Sequence, residues 1–338
     1  MYEYSQKHKG VLLAKIVAVL IFLFTFAHAQ SEYELGKGVR VASLPLYVGG
    51  YFSLDYKYMD DESRYRVDDV AVLAYGGYDK FSYMAELEFK ELYVESEHES
   101  KENTHLYVER LYLDYNLNES TLLRMGKYNS PIGFWNMLPI NVLRETSSSP
   151  MSTYLVFPKF TTGVNGSYTS YSEGELKIDL MLQYNEDIDD DYNNYELDEH
   201  YGFGISYEKD EYAFKLNGGS FHNISDDVEP LNLYYALVSL KYEDEKYQLL
   251  SELGSQKSSS MVTTKYAGYI QCLYRFTEQH IGILRLESYD DMVHDVNDKM
   301  AIVGYTYRPS YPIAIKSEYQ FHSLEEENQF LFSISVLF

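Results

Sequence analysis

Apolar and polar side chains alternate along most of the chain after about residue 45. In residues 81–90 the odd positions are apolar and most even positions are polar, and the same period of two recurs in 175–184 and 201–208. A β-strand with one apolar and one polar face produces this pattern. Because no stretch of this region keeps a helical period, the pattern predicts an all-β protein.

Turn signals divide this region into sixteen segments of strand length. We predict strands near 45–58, 66–76, 80–93, 105–116, 121–128, 161–169, 175–184, 200–208, 211–221, 231–242, 246–254, 265–276, 281–288, 300–308, 311–321 and 329–338. The segment 105–116 has an ambiguous parity, because two charged residues, Glu109 and Arg110, are adjacent in it.

The connections between these strands fall into two alternating classes. Tight turns follow the even-numbered strands, as at 76–79 and 309–310. The connections after the odd-numbered strands are mostly longer and polar, at 59–65, 94–104, 129–160, 185–199, 222–230, 255–264, 289–299 and 322–328. Short turns at one end and long loops at the other are typical of outer-membrane barrels, in which the short turns are periplasmic.

These patterns predict a transmembrane, antiparallel, up-and-down β-barrel of about 16 strands, with 14 to 18 as the range. In lipid every backbone amide and carbonyl needs an internal partner, so the sheet has to close on itself. Its apolar face then points to lipid and its polar face inward. About sixteen strands leave a water-filled lumen, whereas about eight fill it with side chains.

The first 29 residues have the three-part layout of a secretory signal peptide. Three lysines precede the apolar run 16–26, and the small-x-small sequence Ala27-His28-Ala29 follows it. We expect cleavage after Ala29, then an N-terminal periplasmic segment at 30–44 and the barrel at 45–338. A membrane anchor helix is the alternative, which the short apolar run disfavours.

Composition excludes several classes of function. The formal net charge of -24 argues against a nucleic-acid partner, because phosphate binding needs a basic surface. Cys272 is the only cysteine, so a disulfide scaffold and a multi-cysteine metal site are excluded. The nine histidines lack metal-ligand spacing and no Gly-x-Ser-x-Gly motif occurs, so we expect no enzyme, no cofactor and no metal. A dispersed Ser/His site is the alternative that the sequence leaves open.

The last predicted strand resembles the C-terminal signature that the outer-membrane assembly machinery recognises. Its alternating apolar positions are Phe330, Phe332, Ile334, Val336 and Phe338. The resemblance makes Phe338 the predicted assembly signal. The alternative is an ordinary edge strand, which would be an aggregation hazard in a soluble protein.

Two further stretches resemble segments of phosphate-selective and related Gram-negative porins. One is Arg124-Met125-Gly126-Lys127 with Pro131-Ile132-Gly133, and the other runs from Tyr305 to Gln320. This resemblance implies a porin of the outer membrane. The acidity of the chain argues against a phosphate substrate, because a phosphate channel should line its lumen with Lys and Arg.

If the apolar parity faces lipid, charged side chains in mid-strand point into the lumen. Facing lipid would cost about 2–4 kcal/mol for a Lys or Arg at the midplane. The candidate pore-lining residues in the strands are Glu86, Glu88, Lys90, Arg124, Lys177, Asp179, Arg285, Glu287, Lys316 and Glu318. They could tune selectivity, or they could form structural ion pairs along the inner wall.

The connection 129–160 differs from the other loops. It is the longest and is apolar where the others are acidic, and it holds the only Trp and four of the eight Pro. In porins the third external loop commonly folds into the lumen, so the resemblance implies a constriction here. Arg144, Glu145 and Lys159 would then be the nearest charges. The alternative is a loop packed over the barrel mouth or against a neighbouring subunit.

Three functions remain open from the sequence. We expect a porin for passive diffusion of small hydrophilic solutes or ions, with cation preference because acidic loops concentrate cations. A substrate-specific channel is the second, and a non-conducting adhesin, receptor or structural barrel is the third. The expected partners are outer-membrane lipid and lipopolysaccharide, the barrel-assembly machinery and the solutes. A homotrimer is left open, and so is divalent-cation binding by the acidic loops.

Overall fold

The computed structural model describes residues 33–41, 44–225, 230–324 and 327–338. The predicted signal peptide therefore lies outside the described residues. The strands are β1 (Tyr33–Glu34), β2 (Gly38–Arg40), β3 (Leu46–Met59), β4 (Glu62–Tyr78), β5 (Phe81–Phe89), β6 (Tyr93–Ser96), β7 (Ser100–Glu102), β8 (Tyr107–Asn118), β9 (Thr121–Asn129), β10 (Phe160–Tyr171), β11 (Glu175–Tyr184), β12 (Leu197–Lys209), β13 (Tyr212–Asn223), β14 (Leu231–Glu243), β15 (Tyr247–Ser258), β16 (Val262–Arg275), β17 (His280–Asp291), β18 (Val296–Ser310), β19 (Ile313–His322) and β20 (Gln329–Leu337).

Sixteen long strands form one closed antiparallel barrel, as the alternation predicts. Each pairs with the next along the chain, and β20 pairs with β3 from Gln329↔Met59 to Leu337↔Tyr51, which closes the sheet. The other four strands are short. β1 and β2 form a hairpin against β3, whereas β6 and β7 form one against β4. Closure leaves no free strand edge in the barrel wall, which is the condition for spanning lipid.

The two faces of the barrel wall have the predicted inverted polarity. On β11, Leu180 and Leu182 are 62% and 51% exposed, whereas the alternate residues Asp179 and Gln183 are each 1% exposed. The same alternation holds on β17, where Leu284 and Leu286 are exposed and Arg285 is buried. The exposed apolar face fits contact with lipid, and the charged side chains avoid it by facing inward.

The connections confirm the tight turns but correct several loop lengths. At one end, which we call the turn end, adjacent barrel strands are separated by only two to four residues, as at 79–80 and 276–279. At the other end, the loop end, the loops predicted at 59–65, 255–264 and 289–299 shrink to 60–61, 259–261 and 292–295. Asp60 and Asp61 have φ of 48° and 61°, the left-handed pair that a two-residue hairpin needs. The strands continue beyond the alternating core, which is why the prediction made these loops too long.

Two β-bulges explain the adjacent charged residues within strands. The β3–β4 register shifts between Tyr51 and Ser53, so Asp68 and Asp69 both reach the inner side, and Asp69 has a φ of 50°. The β5–β8 register shifts after Glu86, where Glu109 is the extra residue beside Arg110. A bulge lets two neighbouring side chains face the same way, which regular alternation forbids.

Within the described residues, helical structure is confined to single turns in two loops. The residues Trp135–Met137, Asn141–Leu143 and Asp190–Tyr192 form 3₁₀ turns, and α1 covers Ser152–Leu155. Over the ranges that the structure describes, no helix is long and apolar enough to cross a membrane.

Candidate functional site in the barrel lumen

Residues 130–159, between β9 and β10, form the longest connection, the one predicted at 129–160. Its first part is bonded to inward-facing side chains of β13 and β15. Gly133 N donates to Asn217 Oδ1 at 3.0 Å, and Lys215 Nζ donates to Gly133 O at 2.9 Å. The carboxylate of Glu252 accepts from the backbone amides of Phe134 and Trp135. A charged acceptor that receives backbone amides makes a comparatively strong bond, so this end of the loop is anchored.

Gly133 is required by this anchoring. Its φ is +66°, a conformation that side-chain-bearing residues rarely adopt. A Cβ atom at this position would also lie 2.6 Å from Glu252 Oε1. The Gly133 that the Pro-x-Gly resemblance singled out therefore permits the close approach of loop and wall.

The second part of loop 129–160 is bonded to the neighbouring arc of the inner wall, on β17 and β19. Lys316 Nζ donates to Asn141 Oδ1 at 2.8 Å, and Glu318 Oε2 accepts from Ser147 N at 2.9 Å. Arg285 Nη2 donates to Ser148 Oγ at 2.6 Å. Four charged wall residues that the sequence analysis selected, Arg285, Glu287, Lys316 and Glu318, thus bind the backbone or side chains of this loop. In these cases the charges hold a loop in place, a role that neither alternative for them included.

Apolar packing supplies the rest of the contact between loop and wall. Ile132, Val156 and Phe157 are fully buried in a cluster with inward residues of β14, among them Leu237. This strand is apolar on both faces, since Val238 and Leu240 on its other side are exposed. Apolar side chains that face a water-filled lumen stay hydrated, which is unfavourable. The continuous apolar run of β14 therefore indicates where a loop covers the wall.

Cavities lie on both sides of loop 129–160. A cavity of about 570 Å³, which we call the central cavity, lies toward the loop end between this loop and the β3–β5 and β8 wall. A cavity of about 410 Å³ lies toward the turn end, against Glu243 and Arg275. Arg144 lines both, so its side chain marks the boundary between the two halves of the lumen.

The wall side of the central cavity is acidic. Six carboxylates line it: Asp55, Asp68, Asp69, Glu88, Glu91 and Glu109. Arg66 pairs with three of them, at 3.4 Å from Asp55, 3.4 Å from Asp68 and 3.2 Å from Glu91. The remaining three, Asp69, Glu88 and Glu109, form no ion pair with any described residue.

Tyr51 lies at the centre of this acidic wall. Its hydroxyl is within 2.7–3.0 Å of carboxylate oxygens of Glu86, Glu88 and Glu109. One hydroxyl has one proton to donate, so it cannot satisfy all three acceptors. Arg110 pairs with Glu86. Glu88 Oε1 is buried without a hydrogen-bond partner among the described groups.

Carboxylate groups close enough to share an ion occur at two places among the described residues. One is the set Glu86, Glu88 and Glu109, and the other is Asp189, Asp190 and Asp191. In the second set the carboxylate of Asp189 already accepts from Val108 N at 2.8 Å. In both places the carboxylate groups are only close to one another. The expectation of no metal stays a prediction.

The loop side of the central cavity is basic. Arg144 donates to the carbonyls of Leu138 and Pro139 and to Ser149 Oγ, and Lys159 lies over the Tyr154 ring at 4.8 Å. Neither cation pairs with a carboxylate in the described part of the chain. Lys159, and after it Arg144, lowers the pKa of the Tyr154 hydroxyl, despite burial that raises it. The two cations therefore act on the same part of the lumen.

A second loop, 185–196, holds the end of loop 129–160 beside the central cavity. Asn194 Oδ1 accepts from Lys159 N at 2.8 Å, and its Nδ2 donates to the carbonyls of Tyr154 and Phe157, each at 2.9 Å. Tyr192 lines the cavity against the Phe160 ring. One asparagine thus ties the end of loop 129–160 in position. Nothing in the acidic composition of 185–199 predicted this role.

The candidate pore-lining residues fall into three groups. Glu88, Lys90 and Arg144 line the central cavity, Arg285 and Glu287 line an adjoining cavity, and Glu145 lines the one toward the turn end. Lys316 and Glu318 are buried beneath loop 129–160. The others form wall ion pairs, which are Glu86 with Arg110, Arg124 with Asp114, and Lys177 with Asp179.

Known proteins share this architecture without sharing the sequence. The chain is similar to an anion-selective porin from Comamonas acidovorans, with 10% identity and a TM-score of 0.61 over 87% of this chain and 99% of that one. It is also similar to OmpF of Salmonella typhi, at 10% identity and a TM-score of 0.60 over 87% and 97% of the two chains. The fold is that of a bacterial porin.

A third similar structure is the outer membrane channel DcaP of Acinetobacter baumannii. It is 11% identical, with a TM-score of 0.58 over 89% of this chain and 100% of that one. No protein-family model matches the chain, and a comparison with curated proteins finds no match. The porin fold therefore rests on three-dimensional similarity alone.

Sequence reasoning missed much of the acidic wall of this porin fold. Asp55, Asp68, Asp69, Glu91 and Glu109 line the central cavity, yet strict alternation did not select them. The signal that could have found two of these sites is a pair of adjacent charged residues inside a strand. Such a pair is compatible with a barrel wall only where a bulge turns both side chains inward.

Proposed function

We propose that this protein is an outer-membrane channel for passive diffusion of small hydrophilic solutes and ions, with cation preference and with loop 129–160 as its constriction. The observation that carries the proposal is the position of Arg144, which lines the cavities on both sides of this loop. A solute that crosses the lumen passes this side chain. The loop is anchored to the wall at both ends, so it narrows the lumen in a defined way.

Cation preference follows from the charges around the central cavity. Six carboxylates face four cationic side chains, Arg66, Lys90, Arg144 and Lys159. Fixed negative charge in a lumen raises the local concentration of cations and lowers that of anions. The fold alone does not set selectivity, because one of the similar structures is an anion-selective porin.

The location and partners belong to the same proposal. The exposed apolar wall is suited to outer-membrane lipid, with lipopolysaccharide at the loop end and the assembly machinery reading Phe338. We propose a non-enzymatic role, since the similar structures named above are porins or channels. One of the similar structures is a trimer form of OmpT of Vibrio cholerae, so a trimer is the assembly to test.

The decisive experiment is single-channel recording of the purified protein in a planar bilayer under a KCl gradient. We expect ohmic steps with a reversal potential on the cation-selective side. An anion-selective reversal potential would contradict the charge argument. Absence of steps from protein shown to be folded, by its heat-modifiable electrophoretic mobility, would contradict the channel itself and favour an adhesin or structural barrel.

A further inference from the structure

The cavity of about 410 Å³ toward the turn end, which we call the turn-side cavity, has carboxylates that are all in ion pairs. Glu243 pairs with Lys241 at 2.8 Å and with Arg275 at 2.6 Å, and all three line the cavity. Glu145, which also lines it, pairs with Arg308 at 3.0 Å. These groups are satisfied by one another, so they leave little for a charged solute to bind.

Loop 129–160 presents apolar side chains to the turn-side cavity. Met137 and Leu138 line it and are 40% and 38% exposed, whereas Ile132 and Val156 of the same loop are fully buried against the wall. Apolar surface that faces water inside a lumen is unfavourable. The apolar body of a solute that packed on these two side chains would remove that surface from water.

Two buried polar atoms beside this apolar surface have no hydrogen-bond partner among the described residues. They are Gln271 Oε1 on β16 and Trp135 Nε1 on loop 129–160, and both residues line the turn-side cavity. Gln271 is 2% exposed. Trp135 packs on Leu250, which is the register partner of Gln271. A buried donor or acceptor without a partner is costly, so a ligand that supplies the missing partners is favoured. Since the last torsion of a glutamine side chain is broad, the amide can turn toward the cavity.

We propose that the turn-side cavity binds small uncharged amphipathic solutes that carry an amide group, with the amide at Gln271 and the apolar body against Met137 and Leu138. This inference rests on the proposed channel function and adds a solute class for the same lumen. An amide has both a donor and an acceptor, which are the partners that Gln271 Oε1 and Trp135 Nε1 lack. The volume lies within the range of about 300–1,000 Å³ that small-molecule pockets have.

Charged relatives of such a solute fit the cavity less well. A cation meets Arg144, which lines the cavity and pairs with no carboxylate in the described part of the chain, as a like charge. A carboxylate can approach Arg144, but it has no proton to donate to Gln271 Oε1. Either ion also loses hydration beside Met137 and Leu138. The cavity therefore discriminates by charge as well as by shape.

The test uses the full-length protein in detergent at a fixed detergent concentration, with Trp135 as the reporter. It is the only tryptophan of the chain and it lines the cavity, so its emission can be excited at wavelengths that tyrosine does not absorb. Cyclohexanecarboxamide is the probe. Its carboxylate and amidine analogues are an anion and a cation of nearly equal size, and acetamide lacks the apolar body. We expect a saturable change with the probe, half-complete at a concentration about tenfold lower than with any analogue, as one more satisfied hydrogen bond would give.

Two variants separate the two ends of the solute. Gln271→Met removes the amide at similar volume and should raise the half-saturating concentration of the probe about tenfold. Met137→Gln makes the exposed loop surface polar and should raise it about threefold. The matched controls are Gln279→Met, in an exposed turn, and Met261→Gln, in an exposed loop, and both should leave the value unchanged. Heat-modifiable mobility shows that each variant is folded.

Three results would overturn the inference. They are a change in emission that does not saturate, equal binding of the probe and acetamide, and probe binding that folded Gln271→Met retains in full. Tighter binding of the carboxylate would also overturn it, because Arg144 would then be the ligand-binding group. All of these leave a cation-selective conductance, and with it the proposed channel function, intact. A folded protein that binds the probe but does not conduct would overturn the channel and keep the site.

Discussion

Gly50 and Phe338 exchange two backbone hydrogen bonds, from Phe338 N to Gly50 O at 2.7 Å and from Gly50 N to Phe338 O at 2.9 Å. They continue the seam between β20 and β3 that closes the barrel. The aromatic ring of Phe338 also lies above Gly50, where a Cβ atom would be 2.9 Å from its Cζ and 2.4 Å from Ala71 O. Phe338, which resembles an assembly signal, thus packs its ring directly against a glycine.

The first prediction concerns this contact between Gly50 and Phe338. Gly50→Ala should destabilise the barrel by about 1–3 kcal/mol, because the new methyl group has to displace backbone or the Phe338 ring. The measurement is the urea midpoint of the purified protein in detergent, together with the fraction that shows heat-modifiable mobility.

The matched control is Gly166→Ala in β10. A Cβ atom there would meet only Leu123 Cδ2, at 3.7 Å, which is an ordinary contact. Equal stability of the two variants would refute the proposed role of Gly50.

The second prediction concerns the tether between the two inner loops. Asn194→Ala removes the acceptor of Lys159 N and the donor to the carbonyls of Tyr154 and Phe157. We expect a loss of about 1–3 kcal/mol and noisier open-channel current, since the end of loop 129–160 is released. Asn297→Ala, at an exposed position of β18, is the control and should leave the current quiet. Unchanged current noise in Asn194→Ala would show that other contacts are sufficient to hold the end of loop 129–160.

The third prediction concerns a buried amine beneath loop 129–160. Lys316 is 1% exposed and donates to Asn141 and, at 3.4 Å, to Thr146 O. Lys316→Met keeps most of the volume but leaves these acceptors without a donor, which should cost about 1–3 kcal/mol of unfolding free energy. Lys299→Met, on the exposed side of β18, should cost much less. Comparable losses in the two variants would mean that the bonds to the loop contribute little.

The fourth prediction concerns the boundary between the two halves of the lumen. Arg144→Ala should raise single-channel conductance and increase the cation-to-anion permeability ratio by about twofold, because a fixed positive charge and its bulk are removed from between the two cavities. Glu109→Gln should shift the ratio the other way. Lys101→Ala, in the exposed hairpin of β6 and β7, serves as the control. A lower cation-to-anion permeability ratio in Arg144→Ala would mean that residues other than Arg144 set the selectivity.

Local patterns alone predicted most of the fold. Alternation of the kind seen at 175–184 requires one face in lipid or in a core, and a chain with this much alternation and an even number of strands can satisfy its backbone in lipid only by closing. Strand ends were predicted less well, since β3 and β4 continue through Met59 and Glu62 to a two-residue turn. The alternation weakens there, because beyond the bilayer neither face has to be apolar.

The arrangement of charges in the lumen depends on contacts between distant parts of the chain, which no local pattern contains. The sequence by itself determined that Lys316 and Arg285 face inward, because a charge in lipid is costly. Only the tertiary structure decided that these two hold loop 129–160, whereas Asp69 and Glu109 line one cavity with Arg144 and Lys159. The physical reason is that alternation specifies the side of a strand, while bulges, loop paths and pairing across the barrel decide which charges are neutralised.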